Sequence, residues 1–201
     1  MEQAKIQLSA AEMALVSNAS IILTKNSVLL KTKSLMETLQ AAMQHIQQED
    51  YSTHPLFATS PKISKGENYL GLPYLVLDYP RNFGQEDIFA IRTFFWWGHF
   101  FSSTLQLSGE YCSQYGPLLS NAYEQLSQHG YFVQVGTDPW AQHFHPDNYQ
   151  PVTHFSPEAF ADHCQQQASI KIAAKWPLEE WPYAANNLLE SWKFLLLQCR
   201  L

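Results

Sequence analysis

The sequence predicts an α+β domain: a mainly antiparallel sheet of four to six strands, with the N- and C-terminal helices packed on one face. Three observations carry this. Apolar runs that read as hairpin strands follow one another from Leu70 to Leu107 without a βαβ rhythm. Apolar residues recur at spacings of three and four near both ends of the chain, over 28–48 and 178–199. Hydrophobic residues make up 46% of the 201, enough for a sizeable core without disulfides or metal.

The elements follow in order. Ser9-Ala10-Ala11-Glu12 has the pattern of a capping box, opening a short helix to about Ala19. A longer helix is expected over 28–48, where Val28, Thr32, Leu35, Leu39, Ala42 and Ile46 form one stripe, widened by Leu29, Met36 and Met43. Residues 51–68, with Pro55, Pro61 and Gly66, read as a long polar loop. A strand follows from Leu70 to Tyr79, with Pro73 marking an edge or a bulge. As a single strand, Ile88 to Leu107 would span about 66 Å, against a radius of gyration of about 16 Å for such a chain. It must therefore turn or bend, and Gly98, which takes positive φ at little cost, marks either a turn between strands 88–96 and 100–107 or a strong bulge. Pro117 to His129 reads as a helix with Pro near its start and Gly130 past its end. Tyr131 to Val135 reads as a strand, 136–155 as a loop, and Ser156-Pro157-Glu158 as a helix start. Ile170, Ile172 and Ala174 alternate with Lys171, Ala173 and Lys175, the pattern of a half-exposed strand. The last helix is expected over 178–199, with Pro182 in its first turn. Leu35, Leu39 and Ala42 should approach Leu188, Trp192 or Leu195, with Trp192 the largest buried group of the helical layer.

Charged residues are only 15%, under the roughly 25% usual in soluble domains, while Gln alone occurs 18 times. The surface is thus expected to be polar by amide and hydroxyl rather than by charge. This composition excludes a disordered chain. Eighteen acidic against twelve basic residues give −6, which speaks against nucleic acid as a partner. No repeat, low-complexity tract or linker divides the chain, so 1–201 reads as a single domain. The opening MEQAKIQLSA lacks the basic cluster and apolar core of a secretory signal. The densest apolar run, Ile88 to Phe101, is broken by Arg92, Gly98 and His99, so no membrane span is expected. Cys112, Cys164 and Cys199 are odd in number and far apart, as in a cytoplasmic chain with reduced thiols.

Three groups of residues resemble chemistry. In the first, His143 and His145 stand at i and i+2 and point the same way on an extended chain. With Asp147 or His154 they supply three ligands for Zn²⁺ or Fe²⁺, leaving an open position for water. In the second, Asp78 and Arg92 sit inside apolar strands and fall opposite each other if 70–79 and 88–96 pair. They then form either a register-fixing ion pair or an Arg clamp for a carboxylate or phosphate. His99 and the basic loop residues Lys62 and Lys65 extend this anion-binding set. The third is the aromatic run Phe94 to Phe101, which alternation sends to both sheet faces. No phosphate loop, dinucleotide fingerprint, nucleophile elbow or kinase signature is present.

The stretch Lys62-Ile63-Ser64-Lys65-Gly66-Glu67-Asn68-Tyr69-Leu70-Gly71-Leu72-Pro73-Tyr74, continued by Asp78-Tyr79-Pro80-Arg81, resembles a family of small bacterial proteins of Bacteroidetes type with no assigned function. The run Phe95-Trp96-Trp97-Gly98-His99-Phe100-Phe101 is similar to the same family. The resemblance covers about 50 of the 201 residues. It implies a bacterial, cytoplasmic protein and transfers no activity and no site residues.

The leading functional expectation is a non-enzymatic domain that binds a small, anionic molecule or a protein partner, through Lys62, Lys65, Asp78, Arg92 and His99. No cofactor is expected under that reading. The alternatives are a metal-dependent hydrolase or oxygenase built on His143, His145 and Asp147 or His154, with zinc or iron, and a structural homodimer formed by exposed aromatics. Whether the chain is an enzyme stays open at this stage.

Overall fold

The computed structural model describes residues 6–201. Helix α1 (Ala10–Val16) starts at the expected capping box: the Ser9 hydroxyl accepts from the Glu12 N–H, and the Glu12 carboxylate accepts from the Ser9 N–H at 2.7 Å. Helix α2 (Ala19–Asp50) is 32 residues long and is capped by Asn18, whose Oδ1 accepts from the Ser20 N–H. It begins well before Val28. Its first turns, residues 19–24, are exposed, so no buried side imposes an apolar stripe there.

Among the described residues, seven strands form one antiparallel sheet: β1 (Lys62–Tyr69), β2 (Leu72–Phe83), β3 (Ile88–Trp96), β4 (Phe100–Ser108), β5 (Phe132–Gln134), β6 (Tyr149–Pro151) and β7 (Ser169–Pro177), in the order β1-β2-β3-β4-β7-β5-β6. This corrects the expected four to six. The two extra strands are the edges. β1 runs through the segment read as a loop, because Lys62, Ser64, Lys65, Glu67 and Asn68 leave no apolar alternation at a charged edge. β6 has three residues and is too short to show a period. Pro73 lies opposite a register shift between Gly66 and Tyr69, as a bulge-marking proline should, although β2 is not an edge strand. Ile88 to Ser108 folds back as expected, with Gly98 at φ +74° in the turn between β3 and β4.

Pairing of β3 with β4 and β4 with β7 is unbroken, so directly opposed residues share a face. One face carries Leu75, Ile91, Phe95, Phe101, Leu105, Ile172 and their neighbours, buried in one core with the helices. The helices are α2, α3 (Glu110–Ser120), α4 (Tyr123–Gln128), α5 (Pro157–Gln166) and α6 (Ala184–Gln198), the last entered through a 3₁₀ segment, Leu178–Tyr183, that contains Pro182. The single helix expected over 117–129 is thus two, broken at Asn121-Ala122, and Pro117 lies inside α3 rather than at a start. The α3 N-terminus is fixed from a distance: Asp87, in the turn between β2 and β3, accepts from the Glu110 N–H at 2.7 Å. In the helical layer, Thr32, Met36, Leu39 and Met43 are the buried residues of α2, while Leu35 and Ala42 are half-buried. α2 is therefore rolled toward Met36 relative to the stripe read from sequence. Trp192 is fully buried, stacks on Tyr79 with rings 6° from parallel, and donates its indole N–H to the Tyr79 carbonyl at 2.6 Å.

Candidate functional site

The second face of the sheet is built differently. Across β2, β3, β4 and β7 it presents Asp78, Arg92, Thr104 and Ala173 in one row, with Gln106 and Lys171 in another. Strand alternation in β7 puts a lysine here between two core isoleucines. The expectation that this side of β7 faces water is overturned: Lys171 is 1% exposed. What covers it is residues 136–148, an irregular strap joining β5 to β6 across the face.

The strap is bonded at several points. Lys171 Nζ donates to the carbonyls of Pro139 at 3.1 Å and Ala141 at 2.6 Å. Burial, then the nearby Arg92 charge, depresses this amine to about 7, so near neutral pH it exchanges between charged and neutral forms. The Tyr69 phenol oxygen accepts from the N–H of Gln142 at 2.6 Å and of His143 at 3.1 Å, and lies 3.0 Å from His143 Nδ1. The phenol and Nδ1 are thus within hydrogen-bond distance, on the ring edge that faces the sheet. Asn148 donates its side-chain N–H to the His143 carbonyl at 2.6 Å, and the His145 carbonyl accepts from the N–H of both Asn148 and Tyr149.

Asp78 and Arg92 are directly opposed in register and share a face, as the sequence suggested. Arg92 donates Nε–H to Asp78 Oδ1 at 2.8 Å and an Nη2–H to Oδ2 at 3.1 Å, a bidentate pair. The guanidinium carbon lies 5.7 Å from the Phe83 ring centre and 5.8 Å from that of Trp140. The Arg92 fork is thus already spent on Asp78 and roofed by the strap. The rest of the expected anion set does not join it. Lys62 is opposed to Asp78 but exposed on the sheet edge. Lys65 is opposed to Leu75 and so faces the helical side. His99 is exposed in the β3–β4 turn, stacked on Trp96 at 3.6 Å between ring centres. No shared cavity brings these five residues together among the described residues.

The imidazole set does converge in part. His143, His145 and Asp147 each place a ligand atom within 4.8 Å of the others. His143 is half-buried, while His145 and Asp147 are exposed. Burial, followed by His145, holds the His143 imidazole below its ordinary range. His154 is not part of the group; it ends a 3₁₀ turn beyond β6 and is exposed. Of the two third ligands the sequence allowed, the fold brings in Asp147.

A second unusual surface lies outside the sheet. Among the described residues, nine of the fourteen exposed large apolar side chains fall between Ile6 and Leu30, among them Leu15, Val16, Ile22 and Leu23 at 57–70% exposure. α1 buries no residue at all, and the buried part of α2 begins at Thr32. Residues 6–24, all exposed, therefore form a projecting apolar arm. At its base a groove of about 560 Å³ runs between α2 and β1, lined by Leu29, Leu30, Ile63 and Leu75 and flanked by Lys65 and Glu67. Lys25 reaches over to Glu67 at 2.6 Å. Among the described residues no single helix is long and apolar enough to cross a membrane; α1 and α2 together have the length and composition, but meet at a 59° bend. The sequence reading missed this arm, although its signal was present: Glu12 is the only charge between Ile6 and Thr24. Comparison with protein-family models, with curated proteins and with solved structures finds no match.

Proposed function

We propose that this chain is a non-enzymatic interaction domain whose docking element is the N-terminal arm, and that the arm's partner is a second copy of the same chain. The observation that carries the reading is the concentration of exposed apolar side chains on residues 6–24, where the fold buries none of α1. Scattered apolar residues are normal on a surface, but this concentration on one short segment marks an interaction site.

Charge and local structure select the occupant. The arm carries almost no charge, so it has no field with which to draw a strongly acidic or basic protein. A lipid surface fits poorly. Interfacial helices carry Lys and Arg on their polar face, and none occurs between Ile6 and Thr24. The break at Ser17-Asn18, capped by polar side chains, interrupts the hydrogen-bond ladder that hydrocarbon requires to be continuous. A two-fold arrangement instead lets the same patch cover itself, with the groove beside Leu29 and Leu30 continuing the apolar surface.

Light scattering on gel-filtered protein tests this. The full chain should elute as a dimer at micromolar concentration. Leu15→Glu and Ile22→Glu, both exposed in the single chain, should give monomers whose thermal unfolding of the sheet is preserved. A wild-type monomer overturns the proposal. Co-sedimentation of such a monomer with neutral lipid vesicles would identify a membrane surface as the occupant instead.

A further inference from the structure

We infer that the strap carries a binding site for one divalent first-row transition ion, with zinc the best fit, held by His143, His145 and Asp147. Two imidazoles, one carboxylate and an open fourth position for water are a donor set that suits Zn²⁺. Their ligand atoms already stand within 4.8 Å of each other in the protein without an ion. This spacing is not an accident of a loose loop, because the backbone on both sides of the ligands is tied down. Tyr69 holds the N–H groups of Gln142 and His143, Asn148 holds the His143 carbonyl, and Lys171 holds the Pro139 and Ala141 carbonyls. Such outer contacts set the orientation of ligand side chains.

The same contacts say which atom binds and how well. His143 Nδ1 is engaged by Tyr69, so Nε2 is the nitrogen left to offer. Coordination at Nε2 places the imidazole proton on Nδ1, facing the Tyr69 oxygen. With two of the three ligands exposed and a position open to water, affinity should be micromolar rather than the far tighter binding of closed structural zinc sites. The solvent-exposed His145 and Asp147 leave the ion's remaining position open to water.

Titration of the full-length protein with Co²⁺, which reports its geometry by visible absorption, tests the site independently of any activity. One ion per chain should bind with the intense bands of a four-coordinate centre, and Zn²⁺ should displace it. His145→Ala and Asp147→Asn, both at exposed positions, should weaken binding at least tenfold, while His154→Ala should leave it unchanged. Absence of stoichiometric uptake at micromolar Co²⁺ overturns the site. So does uptake that His145→Ala does not weaken, or that His154→Ala abolishes.

Discussion

Lys171 makes the stability of the fold depend on alkaline pH in a direction that can be worked out. Burial holds its amine at about 7 in the folded chain, against 10.5 when unfolded. Below about 7 both states are protonated and the group gives no pH dependence. Between the two values the unfolded chain binds a proton that the folded chain does not, so stability rises with pH, approaching about 1.4 kcal/mol per pH unit. The neutral amine keeps two N–H groups for the Pro139 and Ala141 carbonyls, so the strap stays bound. The three thiols act in the opposite sense. Burial raises Cys112, and raises Cys164 and Cys199 from 9.0 to about 12, so their contribution is complete below 9.0 and is lost as pH climbs above it. Urea melts from pH 6.5 to 10 should therefore show a maximum between about pH 8 and 9. Lys171→Met should abolish the rise between pH 7 and 9, and an equal rise in both proteins would rule Lys171 out as its source. In the neighbouring row, Asp78 is 6% exposed and depends on Arg92 for its partner. Arg92→Ala should cost about 3 kcal/mol by stranding that carboxylate. Arg92→Lys should recover only part of the loss, because a point charge replaces a fork. A loss within experimental error in denaturant melts would show that water reaches Asp78 freely.

At the scale of elements, the last helix is held by one residue more than by any other. Trp192 fills the layer between α2 and the sheet, stacks on Tyr79 and meets Phe57 edge-on with ring centres 6.1 Å apart. Trp192→Ala should cost about 3 to 5 kcal/mol. Trp181, half-buried against Phe95 and Phe101 in the 3₁₀ segment, should cost clearly less. Similar losses at both positions in urea melts would mean that α6 is not docked through Trp192. These elements were legible because their residues meet a partner with a period. The β3–β4 hairpin showed itself through Gly98 in an overlong apolar run, the β2–β3 register through two charges set in apolar strands, and α1 and α5 through their Ser caps. The edges were not legible, since a charged β1 and a three-residue β6 present no alternation. Lys171 misled for a related reason: alternation assigns it to the other face of the sheet, but sequence cannot say that a strap returns to cover that face. The strap is fixed by long-range bonds, from Tyr69 to Gln142 and His143 and from Lys171 to Pro139 and Ala141, which leave no mark in local spacing. For the same reason the sequence could offer His154 as readily as Asp147.

For the whole molecule, the division between a packed sheet domain and an unpacked arm has a thermodynamic consequence. Residues 10–16 make a seven-residue helix with no buried side chain, and the turns of α2 before Thr32 bury none either. Helices of this length are marginal in water by themselves. The domain below them is anchored by its own core, in which residues from Met36 to Cys199 are buried together. Order in the arm should therefore follow association, whereas order in the sheet should not. Diluting the protein below its dimer dissociation constant should reduce helical circular dichroism by an amount matching the arm, with no change in the near-ultraviolet signal of the buried tryptophans. Hydrogen exchange should resolve the same split along the chain. Amides of residues 19–27 should be protected at high concentration and exchange fast when dilute, while those of β3, β4 and β7 stay protected throughout. The Ile22→Glu protein should behave at every concentration like the dilute wild type. Protection of residues 19–27 that is the same at all concentrations, and the same in Ile22→Glu, would mean that α2 holds itself together to its first turn, and the arm would be a rigid spine rather than a segment completed by its partner.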